Sequence, residues 1–306
     1  VKFATHLDEV FMDYEVIIIG GSYAGLSAGL QLARARRTVL VIDAGQRRNR
    51  YAAHSHGFLT QDGKPPGQIA AEGRAQLMRY ATVQWLDGQV VHAQPMPGGF
   101  QVRLQEGTPH TAQRIILAAG VEDELPPLPG LAQRWGKHVF HCPYCHGYEL
   151  QQGRIGVLAV SAMSLHQALM LPDWGATTLF LNGAFEPDAE QQAHLRARGV
   201  QVEAGGVQRL DGETLDVVMQ DGRVFALDGM FVATRVKPGP LAAQLGCVLE
   251  DGPLGAYVKT DPIKATTVPG VFACGDLGRA AGSVALAVGD GAMAGAAAHR
   301  TLMFGL

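Results

Sequence analysis

Tyr14-Glu15-Val16-Ile17-Ile18-Ile19-Gly20-Gly21-Ser22-Tyr23-Ala24-Gly25 is a β-branched run that breaks into small residues. Small and apolar residues alternate from there to Ala35, and Thr38-Val39-Leu40-Val41-Ile42-Asp43 follows as a second buried strand. Strand, glycine turn, helix, strand and acid in this order predict a βαβ unit that binds a dinucleotide. Glycines let backbone N–H groups approach a pyrophosphate, and the helix N-terminus lends them partial positive charge. An acid closing the second strand accepts from ribose hydroxyls. Gly20, Ser22, Ala24 and Gly25 supply the turn, and Asp43 is the acid. Ser22 stands where the middle glycine is usual; it is small, and its hydroxyl can itself donate to a phosphate. The expected class is α/β, Rossmann-like and three-layered.

Composition sets the frame around this unit. The chain has 306 residues, 47% hydrophobic and 17% charged, with a formal charge of -3. That suffices for a large core, expected as two domains. The near-neutral balance gives no electrostatic footprint for nucleic acid. No apolar run reaches membrane-spanning length and no basic segment leads into a long apolar one, so the expectation is a cytoplasmic protein. Residues 1–11 precede Met12 and are set aside from the fold as an upstream extension. Four cysteines, two of them close together, argue against a disulfide framework.

That close pair is Cys142-Pro143-Tyr144-Cys145, followed by His146. Thiols at this spacing close a disulfide with little loop entropy and are readily tuned in pKa, which points to redox chemistry or metal ligation. Cys-x-x-Cys-His is also the attachment signature of c-type haem, and His138 and His141 are near enough in sequence to complete a zinc site. Both alternatives leave the dinucleotide unit without purpose. A binding module without catalysis would have no use for the two cysteines, so no metal is assigned.

Toward the C-terminus, Val268-Pro269-Gly270-Val271-Phe272-Ala273-Cys274-Gly275-Asp276 is an apolar strand closed by Gly-Asp, and a helix-like stretch runs from Ser283 to Leu302. This resembles the second flavin-contacting segment of the FAD-dependent pyridine nucleotide–disulfide reductases. The resemblance implies that Asp276, after Gly275, binds the ribitol, and that the helix starting at Ser283 and Val284 points its N-terminus at the flavin ring. Arg114-Ile115-Ile116-Leu117-Ala118-Ala119-Gly120 is similar to the strand and turn, with Ala119 and Gly120, at which such chains leave the FAD domain.

With the cysteine pair just beyond, nearly the whole chain resembles the low-molecular-weight thioredoxin reductases. That likeness implies a discontinuous FAD domain, 12–120 and 234–306, around an inserted pyridine-nucleotide-type domain, 121–233, that carries the Cys-x-x-Cys. It further implies FAD as cofactor, a homodimer, Cys145 as the thiol facing the flavin and Cys142 as the thiol that exchanges with substrate.

The inserted domain departs from this pattern. Arg154-Ile155-Gly156-Val157-Leu158 reads as its first strand, but the turn is Ala159-Val160-Ser161-Ala162-Met163-Ser164, without the fingerprint glycines. The next strand, Thr177 to Leu181, ends in Asn182-Gly183-Ala184 instead of a basic cluster for a 2′-phosphate. Glu186 and Asp188 read as solvated loop residues. Loss of NAD(P)H binding is the expectation.

Two electron routes then remain. A small dithiol can reduce the Cys142–Cys145 disulfide, which passes electrons to FAD and on to O2; or a ferredoxin donor can reduce the flavin, which then reduces a thioredoxin-like protein. The cysteines serve both directions. His146 tilts the choice, because an imidazole titrating near neutrality can take the proton of an incoming thiol. Cys-x-x-Cys-His in a chain of this length also looks like the FAD-dependent dithiol oxidases that close the disulfides of gliotoxin and holomycin, which implies a dithiol oxidase.

Other features are less explicit. Arg47-Arg48-Asn49-Arg50 is either a phosphate neighbour or a solvated turn. The polar loop His54 to Gly63 reads either as a lid or as a flexible connector, and its paired histidines, His54 and His56, point to a lid that contacts flavin or substrate. Cys247 and Cys274 read as small buried residues.

Overall fold

The computed structural model describes residues 12–305; residues 1–11, for which an upstream extension is the expectation, lie outside them. The chain forms two Rossmann-like α/β units, as expected. In the first, parallel strands lie in the order Val83–Asp87, Val39–Asp43, Tyr14–Ile19 and His110–Leu117. His110–Leu117 divides its outer edge between two partners. Its start pairs antiparallel with Gly99–Leu104, and its end, Ile115 to Leu117, pairs parallel with Val271–Ala273. The sheet thus joins residues near position 20 to residues near position 275. Val16, Ile17 and Ile18 are wholly buried, which is why this strand reads as a continuous apolar run and not an alternating one.

The helices Tyr23–Arg34 and Val284–Phe304 pack together on one face of this sheet. Small residues permit their close approach. A Cβ on Gly291 would sit 2.0 Å from the Ala24 carbonyl oxygen, and one on Gly295 would sit 2.5 Å from that of Ala28. The other face is closed by a second apolar cluster that includes Leu241, Leu245 and Val258.

The second unit has a parallel sheet in the order Gln201–Glu203, Gly175–Phe180, Gln152–Leu158, Gly229–Val232 and Val139–Phe140. The antiparallel strands Val207–Asp211, Asp216–Met219 and Val224–Ala226 cover one side of it through Leu210, Val217 and Met219. Between the units, Val121–Glu124 and Arg235–Pro238 pair antiparallel, with Asp123 opposite Val236, so the outgoing and returning chains lie side by side.

Asp188 is not a plain loop residue. It caps the helix Ala189–Ala197: its carboxylate accepts from the Gln191 N–H at 2.8 Å, and the Gln191 side chain accepts from the Asp188 N–H at 3.0 Å. The Asp-x-x-Gln spacing before a helix is the signal that identifies it. Among the described residues, no helix is long and apolar enough to cross a membrane.

Candidate active site

The turn after Tyr14–Ile19 has the shape of an anion cradle. Gly20 has φ 103° and abuts the backbone of the neighbouring strand end, where a Cβ would lie 2.3 Å from the Ala118 oxygen. Gly25 lets the helix start press on the turn, since a Cβ there would lie 1.9 Å from the Gly20 oxygen. Ser22 is the N-cap but makes no side-chain cap hydrogen bond, so its hydroxyl and the first-turn amides stay available. The Asp43 carboxylate accepts from the Gly21 N–H at 3.0 Å, which ties the acid to the turn.

A cavity of about 1250 Å³, mouth included, opens here. Ser22 and Ala24 from the turn, Ala119 and Gly120 from the exit strand, and Gly275 and Asp276 from the C-terminal segment all line it. Ser283 and Val284 close it at the start of the last helix, and Cys145 and His146 reach it from the redox segment. The tertiary structure therefore gathers most of the residues that the sequence singles out. Gly20 and Gly25 lie outside the wall and shape the turn from behind. Asp43 and Gly20 border an adjoining cavity that shares Ala119, Gly120 and Arg48 with the first. Cys142 is not part of the wall.

These residues fit FAD. Arg47 lines the cavity with a buried Nε that has no hydrogen-bond partner, which suits an anion, and the open amides after Ser22 suit a pyrophosphate. Asp276 supplies an acceptor for polyol hydroxyls. The turn Arg47 to Arg50 is accordingly more than a solvated charge run. Arg48 donates to both Asp123 oxygens and, at 2.9 Å, to Asp276.

The redox segment is a short turn of helix, Pro143–His146, with Cys142 at its start. Cys142 and Cys145 are joined in a disulfide with Cα atoms 5.3 Å apart. Gln167 braces it from the adjoining helix by donating Nε2 to the His141 carbonyl at 2.8 Å. Nothing local in the sequence marks Gln167. Tyr144, largely exposed, stands edge-on to Trp174 at 5.4 Å. Among the described residues, no cluster of three or more His, Cys, Asp or Glu could hold a metal ion.

His146 corrects one expectation. Its ring stacks on Phe140 at 4.3 Å, and burial, helped by the nearby His56, pushes its pKa from 6.5 down to about 4. It does not titrate near neutrality; it is a neutral base throughout the physiological range. His141 is likewise pushed down to about 4, by burial and by the Arg48 charge, which outweigh Asp123. Cys247 and Cys274 are both buried free thiols, and burial pushes Cys274 up to about 12.

The turn of the second unit is built differently from the first. After Gln152–Leu158, the Ser164 hydroxyl accepts from the Val160 N–H at 3.1 Å and the Ser161 hydroxyl accepts from the Met163 N–H at 3.3 Å. Ser164 is wholly buried and Met163 is exposed on the turn. The side chain of Asn182, at the end of Gly175–Phe180, is turned away to accept from the Val207 N–H at 2.8 Å.

Comparison with known proteins agrees with this arrangement. The pattern of the pyridine nucleotide-disulphide oxidoreductase family matches residues 14–291. Thioredoxin reductase tcpT of Claviceps purpurea is 34% identical over 304 residues, 94% of each chain. A solved oxidoreductase from Agrobacterium tumefaciens is 59% identical, with a TM-score of 0.93 over 96% of this chain and 99% of that one. The structure of HlmI is 36% identical, with a TM-score of 0.89 over 96% of this chain and 94% of that one. Proteins of this family are FAD flavoproteins. The chain thus belongs to the pyridine nucleotide-disulphide oxidoreductase family, as an FAD-dependent, thioredoxin reductase-like disulfide oxidoreductase.

Proposed function

We propose that the protein is a dithiol oxidase that takes no electrons from NAD(P)H. The observation that carries this reading is the second turn, where Ser161 and Ser164 occupy the Met163 and Val160 amides that a pyrophosphate would take. The first turn, with Ser22 uncommitted, stays open. In this reading electrons enter through thiols, and a ferredoxin donor is the second reading.

The chemistry follows from where the sulfurs sit. Cys145 faces the cavity and Cys142 does not, which supports Cys142 as the sulfur that meets substrate. A substrate thiol gives its proton to the neutral His146 ring, and the thiolate attacks Cys142 Sγ. The Cys142–Cys145 bond breaks and Cys145 leaves as a thiolate. The second substrate thiol, once deprotonated, attacks the substrate sulfur held by Cys142, which closes the substrate disulfide and releases Cys142. Ser22, Gly275 and Asp276 would hold FAD, which would supply a two-electron acceptor for the reduced cysteine pair with dioxygen as the final acceptor. The sum is dithiol plus O2 giving disulfide plus hydrogen peroxide.

The side-by-side crossings at Val121–Glu124 and Arg235–Pro238 support an FAD domain of 12–120 and 234–306 around an inserted domain of 121–233. Exposed Leu286 and Met293 on the last helix support a homodimer.

The test is anaerobic mixing of the FAD-loaded protein with dithiothreitol, NADPH or NADH. The dithiol bleaches the flavin and neither nicotinamide does; admitting air then yields one peroxide per dithiol consumed. Rapid bleaching by NADPH would overturn the reading.

A further inference from the structure

Only one turn of helix, Pro143–His146, carries Cys145 and His146 into the cavity, and most of that cavity is built by the first unit. The reach of Cys145 therefore depends on contacts that the redox segment makes across to that unit. The backbone stays helical through Gly147 into the short turn Tyr148–Leu150, so Glu149, four residues after Cys145, lies one turn beyond it on the same side. There it meets His56, from the loop His54 to Gly63: Glu149 Oε1 is 3.4 Å from His56 Nε2. On the ring's other edge, Asp62 Oδ1 is 3.6 Å from Nδ1. Both are ion-pair contacts, longer than a direct hydrogen bond.

A carboxylate at each ring nitrogen selects the charged form of the ring. A neutral imidazole carries one N–H and turns a lone pair toward whatever faces its second nitrogen, whereas the charged ring carries two N–H groups. Only the charged ring is matched to both carboxylates. Its surroundings on the loop are fixed in advance. The Ser55 N–H donates to the Lys64 carbonyl at 2.8 Å, the Gly63 N–H to the Ser55 carbonyl at 2.9 Å, and the Asp62 carboxylate accepts from the Gly57 N–H at 2.8 Å. His56 and Asp62 are thus a preformed pair, and Glu149 is the partner that comes from the other unit. His54 stands 6.4 Å away, ring to ring, His146 lines the same cavity, and Lys64 is taken up by Glu72. The titratable groups around His56 are therefore Asp62, His54, Glu149 and His146.

We propose that His56 is a positioning residue that, when charged, clamps Glu149 and so holds Cys145 at the flavin cavity. Loss of the ring proton to solvent leaves one carboxylate facing a lone pair and loosens the clamp. This deepens the dithiol oxidase proposed above and rests on it for the electron transfer that the clamp serves.

The test follows anaerobic flavin bleaching of the FAD-loaded full chain by saturating dithiothreitol, from about pH 5 to about pH 8, the span in which histidines change charge. The quantity read is the rate of wild type over that of E149Q, in which the rise of thiolate with pH cancels. A ratio of about five is expected at the acid end in low salt, the scale of partly exposed ion pairs. It should fall to about one at the alkaline end, or in about 1 M salt. H56Q should match E149Q, and the double variant should be no slower than either. H56K, which stays charged, should keep about a fivefold advantage over E149Q at both ends. A ratio within about twofold of one at the acid end overturns the proposal, as does an advantage that pH and salt leave unchanged. Urea unfolding of wild type, H56Q, E149Q and the double variant reads the same contact without any dithiol. A coupling of about fivefold in the unfolding constant at about pH 5 that vanishes at about pH 8 supports the clamp, and its absence at both overturns it. A wild type that dithiothreitol fails to bleach, with that coupling present, overturns the proposed function and not the clamp.

Discussion

The Arg48 guanidinium grips both carboxylate oxygens of Asp123, at 2.6 and 2.8 Å. Arg48 comes from a loop of the first unit and Asp123 from the outgoing strand, and the Thr234 hydroxyl, where the chain returns, donates to Asp123 at 2.8 Å. One ion pair therefore ties both crossings to the flavin side of the molecule, where Arg48 also meets Asp276.

Replacing Arg48 by Met strands the nearly buried Asp123 carboxylate, and a loss of about 3 kcal/mol of stability is expected at neutral pH. Burial pushes Asp123 up, but Arg48 outweighs it and holds the carboxyl below its ordinary value. The pair's contribution is thus complete above the unfolded value of about 3.9 and disappears as pH falls through the lower folded value. Urea unfolding of wild type and R48M should converge in acid; a gap independent of pH would count against the pair.

Ser164→Ala removes the acceptor of the Val160 amide in a closed turn. Stability should fall by about 1–2 kcal/mol with no gain in NADPH binding. Calorimetric titration with NADPH, run beside denaturant unfolding, checks both parts, and tight NADPH binding by the variant would show that the serines merely mask a working site.

His141 and His146 make the folded protein acid-sensitive before any carboxylate does. Both are held neutral down to about pH 4, while the unfolded chain takes up protons near 6.5. The unfolded state binds more protons in that window, so stability is complete above about 6.5 and falls toward about 4, by about 3 kcal/mol per histidine. His141→Phe should flatten the slope of stability against pH in that window; an unchanged slope would contradict the burial of the neutral ring.

Gly291→Ala forces a methyl onto the Ala24 carbonyl and pushes the last helix off the first. A cost of about 1–3 kcal/mol is expected, with flavin lost from the purified protein as Ala24 moves in the cavity wall. Gly289→Ala on the same helix meets nothing within 4 Å and should retain full flavin. The flavin-to-protein absorbance ratio of the two variants is the measurement.

Much of the site was legible because its parts are local. The turn Gly20 to Gly25, the Gly275-Asp276 strand end and the Cys142–Cys145 pair are each a short pattern with its own chemistry, and the missing glycines after Leu158 are an equally local signal. Asp188 reads as a loop acid in the sequence, although its Asp-x-x-Gln spacing is a local capping signal. Gln167 was not legible, and for Arg48 only the residue and not its partners was: Arg48 meets partners 75 and 228 positions away, and Gln167 meets a carbonyl 26 positions away.

By itself the sequence determined which chemistry the chain carries: a dinucleotide turn, a flavin-type acid, a redox disulfide and a second turn unsuited to pyrophosphate. Bond formation within a few residues depends on residue type and spacing, and both can be read from the chain. Only the tertiary structure decided the protonation state of His146, the engagement of the Ser161 and Ser164 hydroxyls, and the meeting of Arg48 with Asp123 and of His56 with Glu149. Those depend on burial and on charge at distances of a few ångströms, quantities set by packing between segments far apart in the chain.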